Sequence, residues 1–321
     1  MTTVDTESLP GTSASGVRSR SGPLHRARDR DPVVIPLGRW SRIALGIAGL
    51  LGAMAFFWPF LLAPDVLGDV SVAPLLFGVL LVLVVLVGVA QVAEGGVDAK
   101  ALALLGVLSA VDAGLRPLGL GTSGVELVFF LLVLAGRVFG PGFGFLLGCT
   151  SLFASAIITG GVGPWLPYQM FGAAFIGLGA GLLPRCRGRV EIVLLAAYGF
   201  VAGYAYGLLL NLSFWPFVVD PASTTAYVPG AANWFNLRRY LIFDSVTSLG
   251  WDTLRALTNT VLIVLTGPAV LAALRRAGRR AAFEAPVSFA PPTAGPVAAS
   301  GEPRADAATV TRRGTPRTSR R

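Results

Sequence analysis

Residues 72–92 read V-A-P-L-L-F-G-V-L-L-V-L-V-V-L-V-G-V-A-Q-V, a run without a charge in which only Gln91 interrupts the small and apolar side chains. A bilayer core about 30 Å thick is crossed by about 20 such residues as one helix, because in lipid every backbone N–H and C=O must be bonded inside the segment. The run therefore predicts a membrane-crossing helix, and the chain around it repeats the pattern. Of 321 residues, 54% are apolar and 13% charged, against about 25% charged in an average soluble chain. Cutting at Pro, Gly and charge clusters gives eight candidate spans, at 41–63, 72–92, 101–120, 125–139, 142–160, 165–183, 190–212 and 241–272. The expected fold class is all-α, a polytopic helical membrane protein. Gly140-Pro141 separates a short fourth span from the fifth, and the eighth is long enough to be bent at Gly250 or at Gly267-Pro268.

The flanks differ in character. Residues 1–40 and 276–321 are rich in Arg, Ser, Thr, Pro and Gly, a composition that reads as disordered tails. The first apolar run starts near Ile43, too late and too long for a cleaved signal peptide. Arginines crowd between Arg18 and Arg39 and again between Arg275 and Arg321. We read them as cationic flanks of a cytoplasmic leaflet and not as nucleic-acid-binding segments. Loop charge checks the topology: with the N-terminus inside, the inner connections hold Lys100, Arg137, Arg185, Arg187 and Arg189. The outer ones, at 64–70, 121–124, 160–164 and 213–236, hold no Lys or Arg. An even number of spans returns the basic C-terminus to the same side. The expected location is the cytoplasmic membrane of a bacterium, with both termini cytosolic; a single lysine, Lys100, among 26 cationic residues suits a GC-rich genome.

Absences bound the chemistry. The one histidine, His25, lies in the N-terminal tail, which leaves the bundle without Ser-His, Cys-His or zinc-protease constellations. Lys100 is followed by Ala101 and stands in no G-x-x-x-x-G-K-[ST] frame, so ATP-driven work must come from a partner. Cys149 and Cys186 read as free thiols of a reducing compartment. The chain is expected to be no enzyme and to need no cofactor.

What remains are packing ridges and polar groups. Gly140, Gly144 and Gly148; Ala173, Gly177 and Gly181; and Gly199, Gly203 and Gly207 each recur at every fourth residue, the spacing that lets helix backbones approach. The span after Lys100 offers Ala99, Ala103, Gly106 and Ala110, a face suited to another subunit. At the outer side, 160–170 reads G-G-V-G-P-W-L-P-Y-Q-M. Its Trp165 and Tyr168 fit an aromatic belt, whereas Gln169 and the glycines fit a binding site equally well. The stretch 213–236 is long enough to act as a lid. Ionisable groups within spans are costly and default to functional candidates. Asp112 with Arg116, and Asp252 with Arg255, are spaced to form structural ion pairs instead. Ser123-x-x-Glu126 reads as a capping box. Arg238, Arg239 and Asp244 open the last span from outside, and an anionic ligand group or a pairing with Asp220 accounts for the two arginines.

Three segments together, V-E-L-V-F-F-L-L-V-L-A-G-R-V-F-G-P-G-F-G-F-L-L-G from Val125, T-G-G-V-G-P-W-L-P-Y-Q-M-F from Thr159 and S-L-G-W-D-T-L-R-A-L-T-N from Ser248, resemble the substrate-binding S components of energy-coupling factor (ECF) transporters, near the cobalamin-type group. The likeness covers about 99–275, the six-helix core of that family, and adds two N-terminal helices at 41–98 to give eight in all. The resemblance implies capture of a vitamin or related micronutrient at the outer face, docking on a membrane T subunit coupled to two cytosolic ATPases, and release inside. It places the T-subunit contact on the A-x-x-x-A pattern matched by Ala99 and Ala103 and extended by Gly106 and Ala110. The substrate-binding candidates are Trp165, Tyr168, Gln169, Glu126, Arg116, Asp112, Arg238 and Asp244. The two added helices raise the question of whether they cover the docking face.

Overall fold

The computed structural model describes residues 35–61, 72–94, 99–119 and 124–281. The expected disordered tails fall almost wholly outside these residues, as do His25, the outer connection at 64–70 and Ser123. Among the described residues there is no strand. The helices are α1 (Arg39–Phe56), a one-turn α2 (Trp58–Leu61), α3 (Val72–Ala93), α4 (Ala99–Leu115) continued by a 3₁₀ turn (Arg116–Gly119), α5 (Phe129–Phe139), α6 (Pro141–Thr159), α7 (Leu166–Leu182), α8 (Arg189–Val218), α9 (Asn233–Thr247) and α10 (Leu249–Ala281). Among the described residues, four segments are long and apolar enough to cross a membrane: Ala99–Gly119, Pro141–Thr159, Arg189–Val218 and Leu249–Arg280. Bulky apolar side chains such as Val82, Val85, Val107, Val111, Val261 and Leu265 are more than half exposed on the perimeter, as a helical membrane protein requires of the surface it turns to lipid.

The two ends of the bundle are chemically distinct. At one end Ile35 N–H donates to Phe139 O, Gln91 Nε2 donates to Gly142 O, and Glu191 accepts from Arg137 at 2.8 Å and from Arg275 at 2.7 Å. Arg137 also donates to the carbonyls of Leu183 and Cys186. This end gathers the start of α1, the end of α3, the end of α5 and the turn into α6, the α7–α8 connection and the end of α10. It is the basic end. The opposite, or far, end collects α2, the 3₁₀ turn, the start of α7, the end of α8, and α9.

Glycines set the central packing. A Cβ added at Gly177 or Gly144 would collide with the backbone of the other, one at Gly148 would meet Ala173 and Ala174, and one at Gly181 would meet Gly140 and Pro141. The first two predicted ridges therefore pack against each other, and the third lies on α10, with Gly203 against Ala256 and Gly207 against the Asp252 carboxylate. Against these contacts α5 is enclosed: every residue in it except Phe130 and Arg137 is buried.

Three boundaries differ from those expected. The fourth span starts at Phe129 and not at 125, because Gly124 takes a left-handed φ of 110° and 125–127 has no regular secondary structure. Glu126 therefore lies outside the helix, no side chain caps its N-terminus, and the capping-box reading is corrected. The seventh continues past 212 to Val218, which shortens the predicted lid to 219–232. The eighth is two helices joined at Ser248, and α10 passes through Gly250 and Gly267-Pro268 without ending.

The two added helices have their own tie. Trp40 N–H and Ser41 N–H donate to the Glu94 carboxylate at 2.6 and 2.7 Å, and the Ser41 hydroxyl adds a third bond. Glu94, at the end of α3, thus supplies the N-terminal cap that α1 lacks in its own sequence. These bonds, led by the Ser41 hydroxyl, hold the Glu94 carboxyl below its usual range. A carboxyl depressed in the folded state stabilises above its unfolded value and loses that effect as pH falls through the folded one. Hydrogen exchange at Trp40 and Ser41 is expected to accelerate as pH falls through the depressed range of the Glu94 carboxyl, relative to neighbouring amides corrected for intrinsic rate, and in Glu94→Gln to be fast already at neutral pH.

Candidate functional site

Arg255 organises the far end. It lies on the buried face of α10, donates to Glu126 at 3.0 Å and to Asp252 one turn earlier, and stacks its guanidinium 5.3 Å from the centre of the Tyr206 ring on α8. The expected Asp252–Arg255 pair is formed, and the irregular segment after Gly124 brings Glu126 to the same cation. Close approach of backbone makes room for it: a Cβ at Gly124 would stand 2.6 Å from Trp251 O, and Gly207 leaves space for the Asp252 carboxylate. Irregular backbone at membrane depth is tolerated where protein surrounds it or where it lines a polar cavity.

Beside this triad, Arg116 donates to Gln169 Oε1 at 3.0 Å. The Tyr206 ring lies between them, 4.5 Å from that of Phe129 on α5, against Gly172 on α7 and under Arg255, and the two groups together make a polar belt at the far end. The belt extends to Asp244, which accepts from Asn211 at 2.7 Å; Asn211 also donates to Ser248 at 2.6 Å. One turn deeper on α10, Asn259 is fully buried, and neither amide atom has a hydrogen-bond partner.

The sequence-predicted residues divide accordingly. Gln169 is bonded to Arg116 and Glu126 to Arg255, with Asp244 at the margin. Trp165 stands above them, half exposed in the turn before α7, its indole N–H donating to Gly161 O at 3.2 Å. Tyr168 faces the other way, edge-on to Phe56 of α1 at 5.5 Å. The expected Asp112–Arg116 ion pair is absent: the 3₁₀ turn beginning at Arg116 shifts the helical phase, so Arg116 turns to α7 while Asp112 faces α6. Arg238 is exposed on α9. Arg239 donates to Ser223 O at 2.8 Å and lies over Phe235, and neither arginine pairs with Asp220. Arg255, Tyr206 and Asn211 were not among the candidates. The signal for Arg255 was its i,i+3 spacing to Asp252 opposite the glycine ridge of α8; nothing local marks Tyr206 or Asn211.

Around the belt, the shortened lid is held by a second aromatic core of Leu212, Trp215 and Tyr240. It is tied to α2 by bonds from Trp58 Nε1 to Ser213 O and from Tyr227 Oη to Pro59 O, both at 3.0 Å. The α2 turn thus forms part of the far-end cap. On the opposite flank, Ala99, Ala103, Gly106 and Ala110 of α4 are all exposed, and a Cβ at Gly106 would meet nothing within 4 Å. The pair α1–α3 packs on α6, α7 and α8, away from that face.

Removing one partner of a buried ion pair costs about 3–5 kcal/mol. Arg255→Met, which strands Asp252, is expected to lose stability in that range in detergent unfolding, and Glu126→Gln, whose side chain is 34% exposed, about 1 kcal/mol. Arg255→Met combined with Asp252→Asn is expected to recover most of the loss; no recovery would show that the pair is not what holds α10.

No protein-family model matches the chain, and neither a curated protein nor a solved structure is similar to it.

Proposed function

We propose that the chain is the substrate-binding membrane subunit of an ECF-type importer, capturing a vitamin or related micronutrient outside and delivering it inside with a T subunit and two ATPase subunits. The observation that carries the reading is the far-end belt, where Arg116–Gln169 and the Glu126–Arg255–Asp252 triad converge beneath the Trp165 turn. Fixed donors and acceptors beside an aromatic side chain suit a compact polar solute. Lys and Arg concentrate at the basic end, so the positive-inside rule turns that end to the cytosol and the belt outward. On this reading the bundle crosses the bacterial inner membrane eight times, with both termini cytosolic.

Support for the partner comes from α4. Its face of Ala99, Ala103, Gly106 and Ala110 stays open beside the added helices, and small side chains permit the close approach that helix association in lipid depends on. With no P-loop in the sequence, the energy comes from the partner.

A second reading, an ion-coupled permease, draws on the buried carboxyl of Asp112. Uptake of radiolabelled vitamins separates the two: the ECF reading expects uptake to require the ATPases and tagged protein to bring down a T subunit, and a protonophore-sensitive, ATPase-independent uptake overturns it. A hydrogen bond to a charged group contributes about 1.5–3 kcal/mol. Gln169→Ala and Trp165→Ala are therefore each expected to weaken solute binding about tenfold or more at unchanged expression; unchanged affinity in both removes the belt from the site.

A further inference from the structure

At the basic end the acids are occupied while most of the arginines are not. Glu191 is shared by Arg137 and Arg275, and Glu94 accepts from Trp40 and Ser41 at the start of α1. Arg187 and Arg189 in and beside the α7–α8 connection, and Arg276, Arg279 and Arg280 at the end of α10, are exposed. None of these five has an ion-pair partner among the described residues. Buried ties bring the two groups together. Arg137 holds the connection by the Leu183 and Cys186 carbonyls, and the Arg275–Glu191 bond fixes α10 against the third residue of α8. The two helices are antiparallel, since Gly207 meets Asp252, Gly203 meets Ala256 and Gly199 meets Ile263. The next turn of α10, with Arg279 four residues after Arg275, therefore runs past the connection. Apolar surface adjoins these arginines. Val190 (66% exposed), Val193 (67%), Ala197 and Val201 (63%) recur at spacings of three and four along α8, one open stripe that begins immediately after Arg189.

We propose that this end binds one anionic phospholipid, its phosphodiester held by Arg187, Arg189 and Arg279 and its acyl chains lying along the α8 stripe. Cations crowded together without acids repel one another and call for a counter-charge. All five are arginines, whose planar fork matches the oxygens of a phosphate and is more weakly hydrated than an ammonium. A free phosphate or an acidic peptide accounts for the arginines alone. A phospholipid accounts for the arginines and for the apolar stripe that continues from them, because its charge and its hydrocarbon are joined at the same level of the bilayer. A zwitterionic headgroup brings its own ammonium and leaves the arginines uncompensated, so the lipid is anionic. The positive-inside bias sets only the orientation of a chain; a site built by three particular arginines saturates at one lipid and depends on those residues. The inference requires only that this end lies at a bilayer surface, and it stands whether or not the chain is an importer subunit.

The test is native mass spectrometry of the purified full chain, released from detergent after titration with dioleoyl-phosphatidylglycerol or dioleoyl-phosphatidylcholine. The expected result is one phosphatidylglycerol retained per chain, about tenfold more tightly than phosphatidylcholine and not displaced by glycerol phosphate. Arg187→Gln combined with Arg189→Gln is expected to remove most of that preference, and Arg279→Gln to weaken it about threefold. Arg39→Gln combined with Arg42→Gln, which takes the same charge from the start of α1, is expected to leave it unchanged. Far-UV circular dichroism serves as the folding control; if the α7–α8 double variant fails to fold, Arg279→Gln carries the comparison. Equal affinity of the wild-type protein for the two lipids overturns the proposal, as does an undiminished preference in the folded variants. An equal loss in the two double variants overturns it by assigning the effect to net charge. Displacement by glycerol phosphate overturns it too, by assigning the arginines to a free phosphate.

Discussion

Backbone touches backbone where α6 crosses α7, and the rest of the bundle depends on that contact. In lipid, helices gain nothing by hiding apolar side chains from a solvent that is itself apolar, so close van der Waals approach must hold them. Gly144 and Gly177 provide it, and Gly136 brings α5 into the same crossing, its absent Cβ making way for the Gly177 carbonyl. The enclosure of α5 follows. Because α5 is short, its N-terminal end adjoins the irregular segment that carries Glu126 to Arg255.

Charge then fastens the long helix at two heights. Arg255 ties α10 to Glu126 ahead of α5, and Arg275 ties it to Glu191 at the root of α8. The latter carboxylate also holds Arg137. Both clusters join α10 to the α5 region, one at each end: in the first one cation is shared by two acids, in the second one acid by two cations. Buried charges of this kind are retained at a cost in desolvation, and removing a single member is far more damaging than replacing the whole set with apolar side chains.

Helix existence was legible because lipid imposes length and polarity on each span without reference to its neighbours. The runs at 72–92 and 142–160 coincide with α3 and α6 to within about one residue. The glycine ridges were legible for the same reason, since small residues at every fourth position have one geometric meaning. What could not be read were departures that depend on distant partners. Glu126 leaves helical geometry for a guanidinium 129 residues away, and local pattern pointed instead to a cap. Asp112 and Arg116 have the spacing of an ion pair, but a 3₁₀ turn, invisible in composition, rotates them apart. Of the substrate-binding candidates, Gln169 and Arg116 are bonded to each other and Glu126 to Arg255, whereas the Tyr168 ring lies edge-on to Phe56 of α1.

The length of α8 has a consequence for the membrane itself. Its 30 residues extend about 45 Å, whereas the 19 of α6 extend about 28 Å, which alone fills the hydrocarbon layer. The longer helix carries Trp215 near its end and leads into the loop with Asp220 and Ser223 and the start of α9. A thicker bilayer would draw those polar groups into hydrocarbon and a thinner one would lift the aromatic core into water. The unequal lengths of α6 and α8 make the far-end cap the part of the fold on which hydrophobic mismatch would act.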